Sequence, residues 1–341
     1  MELKSKPAMQ KGSLVRYAIV VIVVVLLFTL PVWAASQPYV ITLGIMMGVY
    51  ITLGHMWNLL AGYSGLVSLG LQMYIGVGAY TVAMFTDKFN MPLALGLIMG
   101  GVVSTVISVG LSYLLLRMRG MYFAIATWMF TEAMRLILIS MEYFGKGQGP
   151  FIPEARKLTP TDIYMFSTIL VVATTVLVVL LMRSKLGLGL FAIRDNDVAA
   201  STSGVPLFRT KLMCMMVAAF VTGVCGGVYY TWQYWVQPNA AFGINWTVAA
   251  VFIVVIGGIG TIFGPIVGGI IYVFLNQYLA TLTWMGSLNM VLLGGIAVAV
   301  ILAAPKGIVG TTQLRLGFEV ISTRRWMKAY PDHLPPDPVT K

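Results

Sequence analysis

The chain has 341 residues, of which 59% are hydrophobic and only 10% charged, with a formal net charge of +11. Soluble domains carry about 45–50% apolar and about 25% charged residues, so this composition excludes a soluble enzyme. A basic excess in so apolar a chain belongs to the loops that flank membrane helices, not to a nucleic-acid-binding face.

A spanning helix needs about 20 predominantly apolar residues. Such stretches run over 15–34, 39–60, 66–86, 93–116, 121–140, 162–182, 211–235, 240–257, 264–282 and 287–304. They predict an all-α polytopic membrane protein of about ten transmembrane helices. Lys4, Lys6, Lys11 and Arg16 precede the first stretch in the manner of a signal peptide. Its apolar run of roughly twenty residues exceeds the usual h-region of about 7–15, and another span follows Gln37-Pro38, so it reads as a retained helix. The chain then divides into an N-terminal segment 1–14, a membrane domain 15–310 and a polar tail 311–341. Two soluble stretches interrupt the membrane domain, at 141–161 and 183–210. In the tail, Thr311–Lys328 reads either as a helix on an anionic leaflet or as a solvated segment.

With the N-terminus inside, 17 of the 22 Lys and Arg fall on the cytoplasmic side, in the N-terminal segment, the loops at Arg117–Arg119 and Arg183–Lys211, and the tail from Lys306 onward. Six of the 11 acids accompany them, so the whole net charge lies on one face. Both termini are therefore expected in the cytoplasm. Cys214 and Cys225 lie eleven positions apart in one apolar run; on a helix that is about 16 Å, beyond disulfide reach.

The loop Arg183–Lys211 reads RSKLGLGLFAIRDNDVAASTSGVPLFRTK. Connections between bundled helices are mostly about 2–8 residues, so a loop this long carries its own structure. Asp195 is placed to cap a short helix over Asn196–Ser203, with Asp197 in its first turn, Gly204 after its end and Pro206 blocking continuation. The small side chains of Ala199, Ala200 and Ser201 let another protein approach closely. A docking helix and a plain helical linker both fit these residues.

AIRDNDVAASTSGVPLFRTKL (Ala192–Leu212) resembles the cytoplasmic loop of the LIV-type branched-chain amino acid ABC importer permeases. Four further segments are similar to that family in the same order: NLLAGYSGLVSLG (Asn58–Gly70) with GVGAY (Gly76–Tyr80), LRMRGMYFAIATW (Leu116–Trp128), GGIGTIFGPIVGG (Gly257–Gly269) and APKGIVG (Ala304–Gly310). The sequence departs from the family pattern at 141–153, where this chain has GKGQGPFIP. Urea, amides or small carboxylates therefore stay open as solutes beside branched-chain or other apolar amino acids, and a self-contained secondary carrier is the remaining alternative. The resemblance implies a permease subunit of a bacterial inner membrane, paired with a homologous or identical second permease. Two cytoplasmic ATPase subunits and a periplasmic solute-binding protein complete such an importer. It also implies that Arg194, Asp195, Asn196, Asp197, Ala200 and Gly204 contact the ATPase. No cofactor is expected in this chain itself, since ATP and magnesium belong to those ATPase subunits. The chain has no G-x-x-x-x-G-K-[ST] phosphate loop, which agrees with a motor on another subunit.

Glycines punctuate two apolar stretches, at Gly62, Gly65, Gly70, Gly76 and Gly78 and again at Gly257, Gly258, Gly260, Gly264, Gly268 and Gly269. They mark either helices broken near a transport site or helices packed backbone to backbone. Candidate polar lining comes from His55 and Asn58 at i,i+3, from Ser64, Ser68 and Gln72, and from Glu132 and Arg135, also at i,i+3. For His55 a bond within the bundle competes with a solute contact, and for Glu132–Arg135 a paired anchor near the outer leaflet competes with a place on the pathway.

Catalysis is not expected. Gly62-Tyr63-Ser64-Gly65 is similar to the serine motif of rhomboid proteases, but His55 and His333 are the only histidines and neither is placed as a base. The run Gly258–Gly264 is spaced wrongly for a dinucleotide loop and has no βαβ setting.

Overall fold

The computed structural model describes residues 22, 24–31, 33, 37–144, 147–281, 289–304 and 307–316. Pro38 opens helix α1 (Pro38–Trp57), where its missing N–H is no loss. The same helix widens into a π-helical turn over Asn58–Tyr63 and gives way to non-helical chain at 65–70. There follow α2 (Leu71–Lys88), α3 (Leu93–Leu115), α4 (Met121–Ser140) and α5 (Pro160–Arg183). The start of α5 is fixed by a capping box, in which Thr159 and Asp162 satisfy each other's backbone N–H. Two short helices come next, α6 (Lys185–Asp195) and α7 (Asp197–Thr202), and then α8 (Leu207–Gln233). The chain continues through α9 (Pro238–Ala241), α10 (Asn245–Gly257), α11 (Gly264–Thr281), α12 (Asn289–Ala303) and α13 (Gly307–Leu316). Among the described residues no strand forms, and the isolated bridge Phe151–Trp235 is the single β contact.

Among the described residues, six helical segments are long and apolar enough to cross a membrane: Pro38–Tyr63, Leu93–Leu115, Met121–Ser140, Pro160–Arg183, Leu207–Gln233 and Pro238–Gly257. The predicted span 66–86 survives as α2, shortened because the chain becomes helical only at Leu71. The predicted spans 264–282 and 287–304 correspond to α11 and α12. Within 15–34 the described residues are helical, and the rest of that span lies outside them, as do the segment 1–14 and the tail beyond Leu316. Of Thr311–Lys328, which from sequence reads either as a helix or as a solvated segment, residues 311–316 are helical as the end of α13, and the rest lies outside the described residues.

Helix α8 is the centre of the bundle and packs on α1, α2 and α3. The approach is backbone to backbone. A Cβ on Gly78 would lie 2.0 Å from the carbonyl oxygen of Gly223, and one on Gly226 would lie 2.2 Å from that of Ile75. Small residues are what allows membrane helices this contact, since lipid supplies no hydrophobic drive between them. On α3, Ser104, Ser108 and Ser112 recur every four residues and are fully buried against the same interface. Ser104 donates to the Tyr74 carbonyl at 3.4 Å, and Tyr74 donates to Ser108 at 3.3 Å. By contrast α4 is peripheral, with Met121, Tyr122 and Met129 exposed on an apolar outward face that a bilayer accommodates.

The glycines therefore do both things expected of them. Gly76 and Gly78 lie within a closely packed helix, whereas Gly65 and Gly70 lie in the helix break. At the end of the bundle opposite α6 and α7, the segment 148–152 pairs with 234–236. Ile152 N–H donates to the Tyr234 carbonyl at 3.1 Å, Val236 N–H to Pro150 at 3.0 Å and the Trp235 indole to Gln148 at 2.9 Å.

Candidate coupling site and polar interior

The loop after α5 folds into two helices, of which sequence spacing anticipated one. Helix α6 forms through the run LGLGL because Gly187 and Gly189 are buried; a Cβ on Gly187 would sit 2.5 Å from the Met182 carbonyl. Gly187 serves packing, and neither glycine breaks the helix. Asn196 then adopts an extended conformation (φ −161°, ψ 113°) that separates α6 from α7. Its Oδ1 accepts from the N–H groups of Val198 at 2.9 Å and Ala199 at 3.1 Å. The cap of α7 is thus Asn196 and not Asp195, which is the last residue of α6. Either residue type caps well, and α6 decides between them by holding Asp195 helical.

The far end of α7 closes as sequence spacing suggested. Gly204 takes φ +83°, its N–H donates to Ser201 at 3.0 Å, and Val205 N–H donates to Ala200 at 3.0 Å. This pair of bonds is a Schellman motif, which needs a left-handed residue after the helix end. Asp197 holds α7 against α8 through Lys211, whose Nζ lies 2.9 and 2.8 Å from the two carboxylate oxygens. Ala200 is turned inward at 3% exposure, while Val198 stands out at 63%. Asp195, Asn196, Ala199 and Gly204 are exposed beside it. Val198 was missed from sequence, although it is the one large apolar residue in DNDVAASTSG.

Arg194 is exposed, but its guanidinium reaches back to the bundle. Its Nη1 donates to the carbonyl of Gly62 at 2.6 Å, within the π turn that ends α1. That turn also holds Asn58, whose Oδ1 accepts from Gly260 N–H at 2.8 Å and whose Nδ2 donates to the Thr261 carbonyl at 2.8 Å. Gly260 belongs to the break between α10 and α11, and a Cβ there would meet Arg194 Nη1 at 2.7 Å. Thr261 tightens this break by donating to Gly258 at 2.8 Å and accepting from Gly264 N–H at 3.0 Å. The two glycine-rich stretches, about two hundred residues apart, therefore meet under the loop, stitched by Asn58 and covered by Arg194. Asn58 and His55, though at i,i+3, are not bonded to each other, because residue 58 begins the π turn and its amide is committed to the Gly260 break.

The remaining polar candidates are distributed through the interior. His55 Nε2 lies 3.2 Å from Thr175 Oγ1. Ser64 donates to the Leu60 carbonyl at 2.6 Å and has Cys214 Sγ at 3.8 Å, so its hydroxyl is internally occupied. Ser68 Oγ accepts from Gly70 N–H at 3.2 Å, and its carbonyl accepts from the Trp57 indole at 3.0 Å. Gln72 donates to the Leu69 carbonyl at 2.9 Å and accepts from the Thr247 hydroxyl, which joins α2 to α10. All four of these side chains are buried. Glu132 and Arg135 do pair, and Arg135 Nη1 donates onward to Asn239 Oδ1 at 2.6 Å. Their side chains remain 44% and 22% exposed, so the pair ties α4 to α9 at the surface, apart from Ser68 and Gln72. Among the described residues no three His, Cys, Asp or Glu side chains cluster as metal ligands would.

Residues 39–301 match the family model described as branched-chain amino acid transport system / permease component. The chain belongs to this family. The permease is 27% identical over 325 residues to the high-affinity branched-chain amino acid transport system permease protein LivM of Salmonella typhimurium, covering 85% of this chain and 76% of that one. LivM of Escherichia coli matches with the same identity and coverage. More local likeness extends to the ribose import permease protein RbsC of Bacillus subtilis, 31% identical over 32% of this chain and 35% of RbsC. The guanosine ABC transporter permease protein NupQ of the same species is 22% identical over 49% of this chain and 59% of its own. No solved structure matches the permease. It is a multi-pass membrane protein of a transport family, and its helices carry no strand-built domain among the described residues.

Proposed function

We propose that this permease is the translocation subunit of an ATP-driven importer for branched-chain or other apolar amino acids. It works in a bacterial inner membrane with both termini in the cytoplasm, an orientation supported by the cations concentrated on the α6–α7 face. A second permease, homologous or identical, two cytoplasmic ATPase subunits and a periplasmic solute-binding protein complete the assembly. Solute is delivered from outside, ATP binding closes the motor, and α7 carries that motion into the bundle. ATP favours one arrangement because the docked loop has different affinity for the motor in the two states.

The observation that carries this reading is the bond from Arg194 to Gly62 above the Asn58–Gly260 stitch. A displacement of α6 and α7 acts at once on the ends of α1, α10 and α11, which are the broken helices. Interrupted helices of this kind recur where transporters meet their solutes. The local likeness to ribose and guanosine permeases favours a second reading, in which the same architecture carries an uncharged polar solute such as urea or an amide.

Val198 offers a test that leaves the loop folded, because its side chain already lies in solvent. Ala200→Asp would bury a charge, and its effect would be ambiguous. In proteoliposomes containing the permease, its ATPases and its binding protein, Val198→Asp is expected to abolish ATPase co-purification and uptake. Undiminished uptake in that variant, or full uptake without any ATPase, would sink the docking role.

A further inference from the structure

Helical threonines ordinarily fold their hydroxyl back onto a carbonyl three or four residues earlier. Thr81, Thr105, Thr131, Thr175 and Thr231 all do so, at 2.7–2.9 Å. Thr52, Thr174 and Thr222 do not, and their Oγ1 atoms have no protein partner although each side chain is at most 1% exposed. His55 Nδ1 shares that condition, with the ring fully buried.

These four atoms occupy one level of the bundle. Helix α1 runs parallel to α5, with Ser167 donating to the Ile45 carbonyl at 3.0 Å and Thr175 beside His55 at 3.2 Å. That register sets Thr174 level with residues 52–55. Helix α1 runs antiparallel to α8, where Cys225 Sγ lies 3.5 Å from the Val49 carbonyl and Cys214 Sγ 3.5 Å from that of Leu59. The same arithmetic sets Thr222 level with Thr52. On α1, Gly48, Thr52 and His55 follow at i, i+4 and i+7 on the stripe that faces α5, with Val49 on the neighbouring stripe toward α8. A Cβ on Gly48 would meet Ser167, which confirms the first face. Thr52 therefore stands where α1, α5 and α8 meet, with Thr174, Thr222 and His55 around it.

The Thr175 hydroxyl lies 2.8 Å from the Val171 carbonyl and 3.2 Å from His55 Nε2. When it donates to Val171 it accepts from Nε2, and Nδ1 is then an acceptor; in the other tautomer Nδ1 is a donor. One imidazole nitrogen of either role and three hydroxyls suit a small neutral molecule that both donates and accepts. Buried polar groups without protein partners are what internal water satisfies, making about three hydrogen bonds at each position.

We infer that the junction of α1, α5 and α8 is an internal water site, liganded by Thr52, Thr174, Thr222 and His55 Nδ1. The inference concerns the folded permease alone and stands whether or not the importer reading holds. Solid-state NMR of the full chain in lipid bilayers tests it, because the sequence has two histidines and His333→Ala leaves His55 as the one imidazole. Polarisation is expected to pass from water to the His55 ring nitrogens, and to fall by about half or more in Thr174→Val/Thr222→Val. Thr174→Ser/Thr222→Ser keeps the hydroxyls and is expected to keep the transfer, which separates lost ligands from a damaged fold. The valine pair is also expected to lower Tm, since it strands the water that the hydroxyls held. A His55 ring that receives no more polarisation than the apolar core, or a valine variant with unchanged transfer or raised Tm, overturns the site.

Discussion

Arg194 donates from Nη1 to the carbonyl of Gly62, 2.6 Å away and 132 residues earlier in the chain. Hydrogen bonds from a charged donor contribute about 1.5–3 kcal/mol, so Arg194→Ala is expected to lower coupled uptake by roughly tenfold or more. ATP hydrolysis in the same proteoliposomes is expected to persist, because the lost contact lies inside the permease. An equal fall in hydrolysis and uptake would instead place Arg194 at the ATPase surface.

Asn58 makes two 2.8 Å bonds to the break between α10 and α11, and its side chain is fully buried. Asn58→Ala removes both and is expected to cost about 2 kcal/mol, at about 1 kcal/mol per neutral bond. Asn58→Asp keeps the acceptor toward Gly260 but sets a carboxylate against the Thr261 carbonyl. It is expected to be at least as damaging. Thermal unfolding of purified variants in lipid nanodiscs ranks the two, and a milder aspartate would contradict the bonding scheme.

Two glycines separate backbone strain from overpacking. Gly204 has φ +83°, and nothing lies within 4 Å of the place a methyl would take, so Gly204→Ala costs only the left-handed conformation, about 1–2 kcal/mol. On Gly223 a Cβ would lie 2.4 Å from Ser104 Oγ and 2.8 Å from the Gly100 carbonyl. Gly223→Ala is expected to cost more, about 1–3 kcal/mol or above, through overpacking of α3 on α8. The Tm order Gly204→Ala above Gly223→Ala checks this.

Partly exposed ion pairs contribute about 0.2–1 kcal/mol, and Glu132–Arg135 is of that kind. Glu132→Gln is expected to leave uptake within about twofold of the parent. A loss beyond tenfold in transport assays, with the protein still folded, would put the pair on the solute route.

The membrane class, the helical stretches and the long loop were legible because each rests on local composition. The end of α7 was legible too, since Gly204 and Pro206 stop a helix whatever surrounds it. The beginning was not, because Asp195 and Asn196 cap equally well and α6 decides between them. Helix α6 was itself hidden, since LGLGL reads as a breaker until Met182 supplies the backbone that Gly187 packs on. The contact of Asn58 with Gly260 was beyond any spacing rule. It depends on the π turn, which no residue preference signals, and on chain two hundred residues away. Exposure divided the candidate coupling residues in a way sequence does not show, leaving Asp195 and Arg194 outside and Ala200 inside, with the Arg194 guanidinium still bonded to Gly62.

Cys214 and Cys225 are both buried between α8 and α1. They are the only thiols in the chain. Toward polar maleimides and spin labels the folded permease therefore presents a blank surface. One cysteine introduced at an exposed position such as Val198 becomes a unique address, and distances reported from it would follow α7 through the transport cycle in an otherwise native sequence.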